Sequence, residues 1–471
     1  MSEFMFNEVL DTIPGCVEVH GKHNVFLGVS IDSRETKNGD LFFALKGPNF
    51  DGHDFIYEAM EKGAYGVVTS HEINSPDLPA GVWVIRTADT YKALQKLANY
   101  NRQRFGTFVI AVTGSTGKTS TKDMIHSIFS QCMETAKTPG NFNNEIGVPL
   151  TLLDLGGHHE ACIVELAMRA PGEIHELSRI AEPDMGVITN IGESHIGILG
   201  SLKNIAKAKA ELIGSLREGG VAVLNGDCSY TAEIKDMVKG RGVLFGLKAS
   251  NEVIGKDIVN LGKEGTRFNI EYGSREFTVH VPIPGIHSVY NALAAATTAL
   301  VSGLDMFTIT NGLASPDLTC QRMGIIEAAS GFTLIDDSYN ASPSSVNAAL
   351  HVLEDIRSTG GKTIAILGNM LELGHIADEA HRNLGKTAID CSVDILITIG
   401  DLACLAGEEA ILLGKDPNTV FMLNSKSQAI DIIKTLLRPG DAVLVKGSRS
   451  MEMEEISKEI LKNTGGSPNV S

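Results

Sequence analysis

The sequence predicts an α/β protein of three domains built on largely parallel sheets, and three observations favour that class. At 471 residues the chain has the length of roughly three domains. Its hydrophobic content of 43% and its 49 glycines are typical of a globular α/β protein rather than of a disordered or fibrous one. Short apolar runs also alternate with helical stretches along most of the chain, which indicates βαβ units.

Residues 1–105 form the first predicted domain, a small α/β unit. Several short apolar runs have the composition of strands, and the stretch Tyr91–Phe105 has the pattern of a helix. The predicted strands are VFLGVSI, LFFAL, YGVVTS and VWVI.

Residues 106–316 form the second predicted domain. Its apolar runs are separated by helical stretches, which predicts a parallel sheet. Residues 253–281 break this rhythm with alternating short strands, so we expect a small β excursion to close the domain. The predicted parallel strands are Phe108–Val112, Cys162–Leu166, Met185–Thr189 and Val221–Leu224.

Residues 317–471 form the third predicted domain. Five apolar runs alternate here with helical stretches, at the spacing of a doubly wound, Rossmann-like domain. The runs are TLIDD, TIAIL, DILITI, TVFML and DAVLV.

Charge and composition argue against several classes of partner. A formal net charge of −17 without a compensating basic run argues against binding to nucleic acid or to an anionic membrane. The least polar run, Val289–Leu304, contains Asn291 and is too short to span a bilayer comfortably, so no membrane insertion is expected. The seven cysteines are scattered without a C-x-x-C motif, and the first residues lack a signal pattern. We therefore expect a cytoplasmic protein.

The stretch GSTGKTS, residues 114–120, has the features of a phosphate-binding loop with one departure. The usual G-x-x-x-x-G-K-[ST] pattern needs a glycine where this chain has Val112. The context still favours a nucleotide loop, because an apolar strand precedes it and an amphipathic run, Lys118–Met133, follows it. Lys118 would then bridge the β- and γ-phosphates, and the Thr119 hydroxyl would bind Mg²⁺. The alternative is a glycine-rich turn with a solvated lysine.

Two further side chains fall at the same predicted edge of the central sheet. Glu165 ends the strand CIVEL, and His195 follows the strand MGVIT closely. Ligands of open α/β sheets bind at the carboxyl ends of the strands. A carboxylate and an imidazole beside a nucleotide would suit magnesium. Taken singly, a helix-capping acid and a loop histidine are the alternatives.

Lys209 occupies an unusual place in the stretch Ile205–Leu216. The apolar residues of this stretch form one helical stripe, and Lys209 lies near its middle, whereas Lys203 and Lys207 point the other way. A lysine in that place must either extend its stem to solvent or be held by a partner. The sequence pattern leaves both possibilities open.

Together these motifs resemble those of the Mur ligases, the ATP-dependent amide-forming enzymes of peptidoglycan synthesis. The phosphate loop of that family has the form G-[TS]-x-G-K-[TS] after an apolar strand, which accounts for Val112. The resemblance covers nearly the whole chain. It rests on IDSR (31–34), GDLFFALKGPNFDGHDF (39–55), GNFNNEIGVPLTLL (140–153), ELAMRAPGEI (165–174), TNIGESHIG (189–197), PGIHSVYNALAA (284–295), IDDSYNASPSS (335–345), LGNMLELG (367–374) and VKGSRSMEME (445–454).

The resemblance implies an N-terminal UDP-binding domain, a central ATP-binding domain and a C-terminal Rossmann-like ligase domain. It implies that ATP is held by Thr113, Gly114, Ser115, Thr116, Gly117, Lys118, Thr119, Ser120, Asn291, Arg322 and Asp337. Within this set it places Asn291 at adenine, Arg322 at the γ-phosphate and Asp337 at ribose, although the adjacent Asp336 leaves the last assignment open by one residue. A core or helix-capping asparagine and a surface ion pair are the alternatives for Asn291 and Arg322.

For the second substrate and the metals, the resemblance implies two further groups of residues. The substrate group consists of Ser33 and Arg34 at the UDP end, Thr138, Asn143 and Asn144 around the sugar and diphosphate, and Ser448 and Arg449. Two Mg²⁺ ions would be held by Thr119, Glu165, His195 and Lys209, with Lys209 carbamylated. The implied catalytic residues are Lys118, Lys209, His195 and Arg322.

The activity implied by the resemblance is amide formation through an acyl phosphate. Within the family, the motifs are most similar to those of the member that joins D-Ala-D-Ala to UDP-MurNAc-tripeptide. We also expect the protein to act as a monomer. The runner-up is the sibling that adds the third amino acid, but the D-N-P-R run of its diaminopimelate-adding members is absent. Folate-polyglutamate ligases lack the module that residues 25–55 resemble. A P-loop switch or motor, the alternative of another class, would give no reason for a lysine on an apolar stripe.

Overall fold

The computed structural model describes residues 2–73, 79 and 81–462. It confirms the predicted α/β class, with three large sheets that follow one another along the described chain and a two-stranded sheet near its start. The predicted domain boundaries at 105/106 and 316/317 each fall between two of these sheets and stay a prediction.

The first sheet has five strands. Its order is β2-β7-β6-β5-β4, in which β4 to β7 are parallel and β2 is antiparallel to its neighbour, while β1 and β3 pair separately. The strands are β1 (Phe4–Met5), β2 (Gly15–Val19), β3 (Val25–Phe26), β4 (Gly28–Ser30), β5 (Asp40–Phe43), β6 (Gly66–Thr69) and β7 (Trp83–Thr87), and the helices are α1 (Phe6–Thr12), α2 (Ile56–Glu61) and α3 (Thr90–Phe105). The predicted strand VFLGVSI is thus divided between β3 and β4.

The second sheet has nine strands in the order β16-β15-β14-β13-β12-β11-β8-β10-β9. The strands from β14 to β9 in this order are parallel, and β15 and β16 are added antiparallel, which confirms the predicted β excursion. The strands are β8 (Phe108–Thr113), β9 (Thr135–Lys137), β10 (Ala161–Glu165), β11 (Met185–Ile188), β12 (Val221–Asn225), β13 (Arg241–Gly246), β14 (Val253–Asn260), β15 (Thr266–Tyr272) and β16 (Arg275–Val281). The helices are α4 (Lys118–Phe129), α5 (Gly147–Leu153), α6 (Glu173–Ala181), α7 (Ile196–Leu199), α8 (Leu202–Gly214), α9 (Thr231–Lys235), α10 (Ile286–Val301) and α11 (Met306–Ala314).

The third sheet has six strands in the order β17-β18-β22-β19-β20-β21. All five predicted strands are present and parallel, and an unpredicted antiparallel strand, β17, forms one edge. The strands are β17 (Gly324–Glu327), β18 (Thr333–Asp336), β19 (Thr363–Gly368), β20 (Ile395–Ile399), β21 (Val420–Leu423) and β22 (Ala442–Lys446). The helices are α12 (Pro343–Asp355), α13 (Ala377–Asp390), α14 (Asp401–Leu412), α15 (Lys426–Leu436) and α16 (Glu454–Lys462).

The core lies on both faces of the sheets, as the alternation of side chains along a strand requires. Along β8, Val109 and Ala111 pack into one apolar cluster, whereas Ile110 and Val112 pack into another on the opposite face. Burial on both faces explains why β8 is a continuous apolar run in the sequence.

Helix α3 ties the first region to the second. Asn101 donates to the carbonyl oxygens of Leu152 and Leu155, at 2.8 and 3.0 Å. Arg102 forms an ion pair with Asp184 at 3.0 Å, and both side chains are buried. The helix therefore fixes the position of the first sheet against the side of the central domain that carries α5.

The predictions about membrane insertion and about disulfides can be compared with the structure. None of the helices in the described ranges is long and apolar enough to cross a membrane. All seven cysteines are free thiols.

Candidate active site

The loop 114–120 lies at the carboxyl end of β8, which is flanked in the sheet by β10 and β11. In the register of these strands Glu165 is beside Val112, and Ile188 is beside Thr113. The ends of three neighbouring parallel strands therefore bring the glycine-rich loop, Glu165 and the segment after β11 to one edge of the sheet, as the sequence predicts.

Two glycines of the loop are required by its backbone shape. Gly114 and Gly117 have φ values of +155° and +77°, which L side chains rarely adopt. A Cβ atom at Gly114 would collide with the Thr189 hydroxyl, and one at Gly117 would collide with the Asn291 amide. Gly117 precedes the first residue of α4, so the loop leads directly into a helix N-terminus, a favourable place for a phosphate.

The segment after β11 braces the loop. The Thr189 hydroxyl donates to the Thr116 carbonyl at 2.6 Å, and the Asn190 side chain exchanges hydrogen bonds with Thr116 at 2.6 and 3.0 Å. Ser115 and Gly192 are joined by two hydrogen bonds of 2.8 and 3.0 Å. The loop conformation is therefore held before any ligand binds. Sequence reasoning assigned no role to Thr189, Asn190 or Gly192.

Lys118 is folded back on its own loop. Its Nζ donates to the Gly114 carbonyl at 2.9 Å. Burial lowers the pKa of this lysine, although the Glu165 carboxylate acts in the opposite direction. A bound phosphate would supply the negative counter-charge that this partly buried ammonium lacks.

Glu165 is the centre of a small polar cluster. Its carboxylate accepts hydrogen bonds from the Thr119 hydroxyl at 2.8 Å and from the Asn143 amide at 2.7 Å, and the side chain is buried. The Thr138 hydroxyl accepts the Glu165 backbone N–H at 3.0 Å. Two residues predicted to contact substrate, Thr138 and Asn143, thus contact Glu165 in this state.

Asn144 has a local structural role in the same loop. Its Oδ1 accepts the backbone N–H groups of Ile146 and Gly147, at 3.3 and 2.9 Å, where α5 begins. The residue also faces the cleft described below, so helix initiation and a ligand contact are compatible.

His195 joins the central domain to the third. Its Nδ1 lies 2.7 Å from Oε2 of Glu372, and its backbone has a φ of +66°. Next to it, the Gly197 N–H donates to the Glu372 carbonyl at 2.9 Å. Burial lowers the pKa of His195, and the Glu372 carboxylate opposes that shift. The neutral imidazole would donate from Nδ1 to Glu372, which leaves Nε2 as a free electron-pair donor.

Lys209 lies in α8 with only 2% of its surface exposed. Within the described ranges of the chain, it forms no hydrogen bond and no ion pair. Burial lowers its pKa well below the ordinary value of 10.5, and the positive charge of Lys118 lowers it further. The possibility that the stem extends to solvent, left open by the sequence, does not describe this structure.

The third domain supplies a cationic and aromatic wall. The Arg322 guanidinium lies 3.8 Å from the centroid of the Tyr339 ring, and that of Arg449 lies 5.5 Å from the same centroid. Arg449 also forms an ion pair with Glu454 at 2.7 Å. In the described part of the chain, the Nε of Arg322 is buried without a hydrogen-bond partner and Arg322 forms no ion pair, so the surface ion pair considered above is not present.

The two neighbouring aspartates of this domain point to different surroundings. Asp337 forms an ion pair with the buried Lys446 and lines the cleft. Asp336 instead accepts the Ser338 hydroxyl at 2.5 Å, and burial raises its pKa. Ser448, on the same side, accepts the Leu371 N–H at 2.8 Å.

Helix α10 contributes Asn291 and His287 to the surroundings of the phosphate loop. The Thr121 hydroxyl lies 3.4 Å from Oδ1 of Asn291, the atom that a Cβ at Gly117 would meet first. Both ring nitrogens of His287 are buried without a partner among the residues described, and burial lowers its pKa to about 4. His287 is a further cleft residue that sequence reasoning missed.

These elements enclose a cleft of about 1430 Å³ between the central and third domains. Most predicted site residues line it. They are Ser115, Thr116, Gly117, Lys118, Thr119, Ser120, Asn143, Asn144, Glu165, His195, Asn291, Arg322, Asp337, Ser448 and Arg449. Thr113, Gly114, Thr138, Lys209, Ser33 and Arg34 are not among its lining residues.

Ser33 and Arg34 lie in the first region, after β4. The Ser33 hydroxyl donates to Glu58 at 3.0 Å, and Ser33 is buried. Arg34 pairs with Asp32 through an exposed guanidinium, which lowers the pKa of Asp32 to about 2. The exposed guanidinium leaves Arg34 accessible to an anionic ligand, and the assignment of both residues to the substrate stays a prediction.

Three family models match the chain in succession. The model described as "Mur ligase family, catalytic domain" matches residues 26–102. "Mur ligase middle domain" matches residues 112–299, and "Mur ligase, glutamate ligase domain" matches residues 321–449. Together these ranges cover most of the chain.

Two relatives that align over most of this chain are named UDP-N-acetylmuramoyl-tripeptide–D-alanyl-D-alanine ligase. The Bacillus subtilis protein is 38% identical over 447 residues, which is 94% of each chain. The Escherichia coli protein is 33% identical over 466 residues, covering 98% of this chain and 99% of its own.

Solved structures agree in fold over the same length. A crystal structure of MurF from Acinetobacter baumannii superposes with a TM-score of 0.89 at 30% identity, covering 98% of this chain and 99% of its own. A crystal structure of MurF ligase from Thermotoga maritima in complex with ADP superposes with a TM-score of 0.80 at 28% identity, covering 93% and 97% of the two chains.

Proposed function

The chain belongs to the Mur ligase family, and on that premise we propose that it joins D-alanyl-D-alanine to UDP-N-acetylmuramoyl-tripeptide at the expense of ATP. The product would be UDP-MurNAc-pentapeptide, a precursor in peptidoglycan synthesis. The observation that carries this conclusion is the full-length likeness to relatives of that name, over 94% and 98% of this chain. The cleft between a phosphate-type loop and a cationic wall supports the ATP-dependent part independently.

The reaction has two bond-forming steps. A carboxylate oxygen of the tripeptide attacks the γ-phosphorus of ATP, the bond to the β-phosphate oxygen breaks, and ADP leaves. The amine of the dipeptide then attacks the acyl carbon of the resulting acyl phosphate, loses a proton, and expels inorganic phosphate. Phosphoryl transfer of this kind depends mainly on positioning and charge neutralisation.

We assign the charge neutralisation to Lys118 and Arg322. Lys118 already lies inside the phosphate loop, and among the described residues its ammonium donates only to the Gly114 carbonyl. Arg322 approaches from the third domain, held by the face of Tyr339 rather than by an acid. Because the two cations come from different domains, closure of the cleft would complete the site and exclude water from the acyl phosphate.

The positions of Asn291 and Asp337 support the nucleotide contacts proposed for them in different ways. Asn291 packs against Gly117 at the edge of the phosphate loop, which suits a contact to the adenine side of ATP. Asp337 lines the cleft, whereas Asp336 is turned to Ser338, and we therefore propose Asp337 for ribose.

Two ligand sets support a proposal of two Mg²⁺ ions. The first consists of Glu165 and Thr119, hard oxygen donors that touch each other at the end of the phosphate loop. The second contains His195, whose Nδ1 contacts a carboxylate and whose Nε2 is free, the arrangement found around metal-bound histidines. Bound Mg²⁺ would neutralise phosphate charge and orient the oxygens that react.

Lys209 completes the second ligand set if it is carbamylated. The charged form of Lys209 is destabilised, because the side chain is buried without a partner and lies near another cation. The lowered pKa therefore favours the neutral amine, which is the form that attacks CO₂. The new N–C bond forms as the amine loses a proton to solvent, and the product carries a negative charge on two oxygens. Such an anion suits both Mg²⁺ and the positive charge of Lys118.

The remaining assignments rest on the division of the chain. We propose domains at 1–105, 106–316 and 317–471, with the first holding the UDP end of the substrate near Ser33 and Arg34. Thr138, Asn143, Asn144, Ser448 and Arg449 would contact the rest of it. We also propose that the protein is a cytoplasmic monomer, and its free cysteines suit a reducing compartment.

The direct test is release of ADP and phosphate from ATP with UDP-MurNAc-tripeptide and a panel of amines. Turnover with D-alanyl-D-alanine, but not with free alanine, lysine or diaminopimelate, is the expected result. Amide formation with lysine or diaminopimelate alone would assign the chain to another member of the family. ATP hydrolysis that needs neither the UDP-linked peptide nor an amine would instead indicate a P-loop switch.

A further inference from the structure

Outside the cleft, three different metal-binding side chains meet in the third domain. The Nδ1 atom of His351, a carboxylate oxygen of Glu354 and the Sγ atom of Cys391 all lie within 4.8 Å of one another. His351 and Glu354 are one turn apart on α12, and Cys391 caps the C-terminus of α13. This group has no part in the activity proposed above, and its test does not depend on that activity.

The spacing of these atoms matches the coordination shell of a small transition-metal ion. A tetrahedral zinc ion, with Zn–S near 2.3 Å and Zn–N near 2.0–2.1 Å, holds its ligand atoms roughly 3.5 Å apart. Here Sγ of Cys391 lies 3.4 Å from Nδ1 of His351, and that Nδ1 lies 3.6 Å from Oε2 of Glu354. An ion could therefore bind with little movement of the side chains.

The position of Cys391 is fixed by contacts within α13 and between α13 and α12. Cys391 is 1% exposed, and its backbone N–H donates to the Thr387 carbonyl at 2.9 Å. One turn earlier, the Thr387 hydroxyl donates to Asn347 of α12 at 3.1 Å, which fixes the seam between the two helices. His351 and Glu354 are exposed on the outer side of this seam, so an ion has access from solvent.

The charges around the thiol favour a cation. Glu354, Asp390 and Asp355 surround Cys391 with negative charge. A bound divalent cation would compensate that charge, and it would replace the thiol proton when the sulfur binds.

We propose that His351, Glu354 and Cys391 form a binding site for a zinc-like divalent transition-metal ion that links α12 to α13. Thiolate, imidazole and carboxylate together select zinc over magnesium or calcium, which prefer oxygen ligands alone. Binding exchanges the S–H bond for a metal–sulfur bond and releases one proton to solvent. The ion keeps an open coordination position for water, since three protein ligands are present.

The test uses the full-length protein, freed of metal with a chelator and titrated with Co²⁺ in the absence of nucleotide. A thiolate-to-cobalt charge-transfer absorption is expected, saturating at one ion and abolished by added Zn²⁺. The ligands proposed in the cleft include no cysteine, so this absorption reports only a site with sulfur. Zn²⁺ should also raise the melting temperature of the wild-type protein.

Variants decide the assignment. Cys391→Ser should abolish the absorption, and the exposed His351→Ala, which should fold normally, should weaken Co²⁺ binding at least about tenfold, the lower range for loss of a residue that only supports a ligand. Cys404→Ser, in α14 of the same domain, is the matched control and should bind like wild type. Absence of the absorption, its persistence in Cys391→Ser, or unchanged affinity in His351→Ala would overturn the proposal.

Discussion

Two lysines are buried in the central domain, and only one of them has hydrogen-bond partners among the described residues. Lys122 of α4, 0% exposed, donates to the carbonyl oxygens of Thr138 and Gly140 at 2.9 and 3.2 Å. Lys209 of α8, 2% exposed, has no such partner in the described ranges. The first is a finished structural contact that holds the loop before α5. The second is satisfied only by something that binds or reacts, which is why we assign it to chemistry.

Two arginines repeat the contrast. Arg102 is buried against Asp184 and the carbonyl oxygens of Ala181 and Glu182, at 2.9–3.1 Å. Arg322 stacks on Tyr339 but leaves its buried Nε without a partner among the described residues. A buried donor atom that lacks a hydrogen-bond partner is costly, so its presence beside a cleft indicates a functional site.

The largest effect is expected from Lys209→Ala. Loss of the carbamate would remove one ligand set and lower ligation turnover on the order of 10²–10³-fold or more, the size seen for one transition-state contact. Steady-state release of phosphate measures it. Lys207→Ala, on the exposed face of the same helix, is the matched control and should keep wild-type turnover.

The same variant offers a second readout. Short carboxylic acids should restore part of the activity of Lys209→Ala by supplying the missing oxygens, and they should not affect Lys207→Ala. Removal of CO₂ and bicarbonate should lower wild-type turnover. Lys209→Ala with most of its turnover intact would remove the distinction between the two buried lysines.

Arg322→Ala comes next in expected size. Turnover of the full-length protein should fall on the order of 10²-fold, because one cation at the γ-phosphate is lost, while ATP affinity changes much less. Arg275→Ala, on the exposed β15–β16 hairpin, is the control. A fall in ATP affinity with an unchanged kcat would show that Arg322 serves ground-state binding instead.

A smaller effect is expected at Glu372, because it touches His195 and not the reacting atoms. Glu372→Gln keeps the size of the side chain but weakens the contact that holds the Nδ1 proton of His195. Support of this kind is worth about 10- to 100-fold in metal affinity. Activity measured against Mg²⁺ concentration should show that shift, with turnover largely restored at saturating metal. An unchanged Mg²⁺ dependence would contradict the role of Glu372.

The smallest effect concerns stability. Substitution of the two buried lysines by methionine should change the free energy of unfolding in opposite directions. Lys122→Met leaves the buried Thr138 carbonyl without the Lys122 donor and should cost about 1–3 kcal/mol of unfolding free energy. Lys209→Met, in buffer without CO₂ or Mg²⁺, should stabilise the fold by a similar amount, about 1–3 kcal/mol, because it removes an unpaired buried amine. Denaturant unfolding of both variants against wild type measures the difference.

The gain in Lys209→Met should depend on pH. The pKa of Lys209 in the folded protein lies well below 10.5, so its protonation in the unfolded chain opposes folding. This unfavourable contribution of Lys209 to folding is greatest below its lowered pKa, and it disappears as pH rises towards 10.5. The stabilisation should therefore be larger near about pH 7 than near about pH 10. A gain that is independent of pH would mean that packing alone explains it.

The sequence predicted best those features that depend on local pattern. Alternation of apolar runs and helices identified the parallel sheets, and the position of Glu165 at a strand end placed it correctly beside the loop. The apolar stripe of α8 placed Lys209 on the apolar face of its helix for the same reason, since a helical period can be counted along the chain, and the structure shows that the side chain is buried there.

Features that depend on distant contacts were missed. Glu372 lies 177 residues after His195 in the chain, so no periodicity could indicate their hydrogen bond. Asn190 and Thr189 brace the phosphate loop through a register between β8 and β11 that exists only in the assembled sheet. Strand β9 has only three residues, too few for a composition signal.

The most direct test is ¹³C NMR of the protein equilibrated with ¹³C-bicarbonate at slightly alkaline pH, with and without Mg²⁺. Wild-type protein and Lys122→Met should both show one carbamate carbon resonance, stronger with Mg²⁺, and Lys209→Met should show none. A wild-type spectrum without that resonance, or a resonance that persists in Lys209→Met, would contradict the assignment of the unpartnered lysine to chemistry.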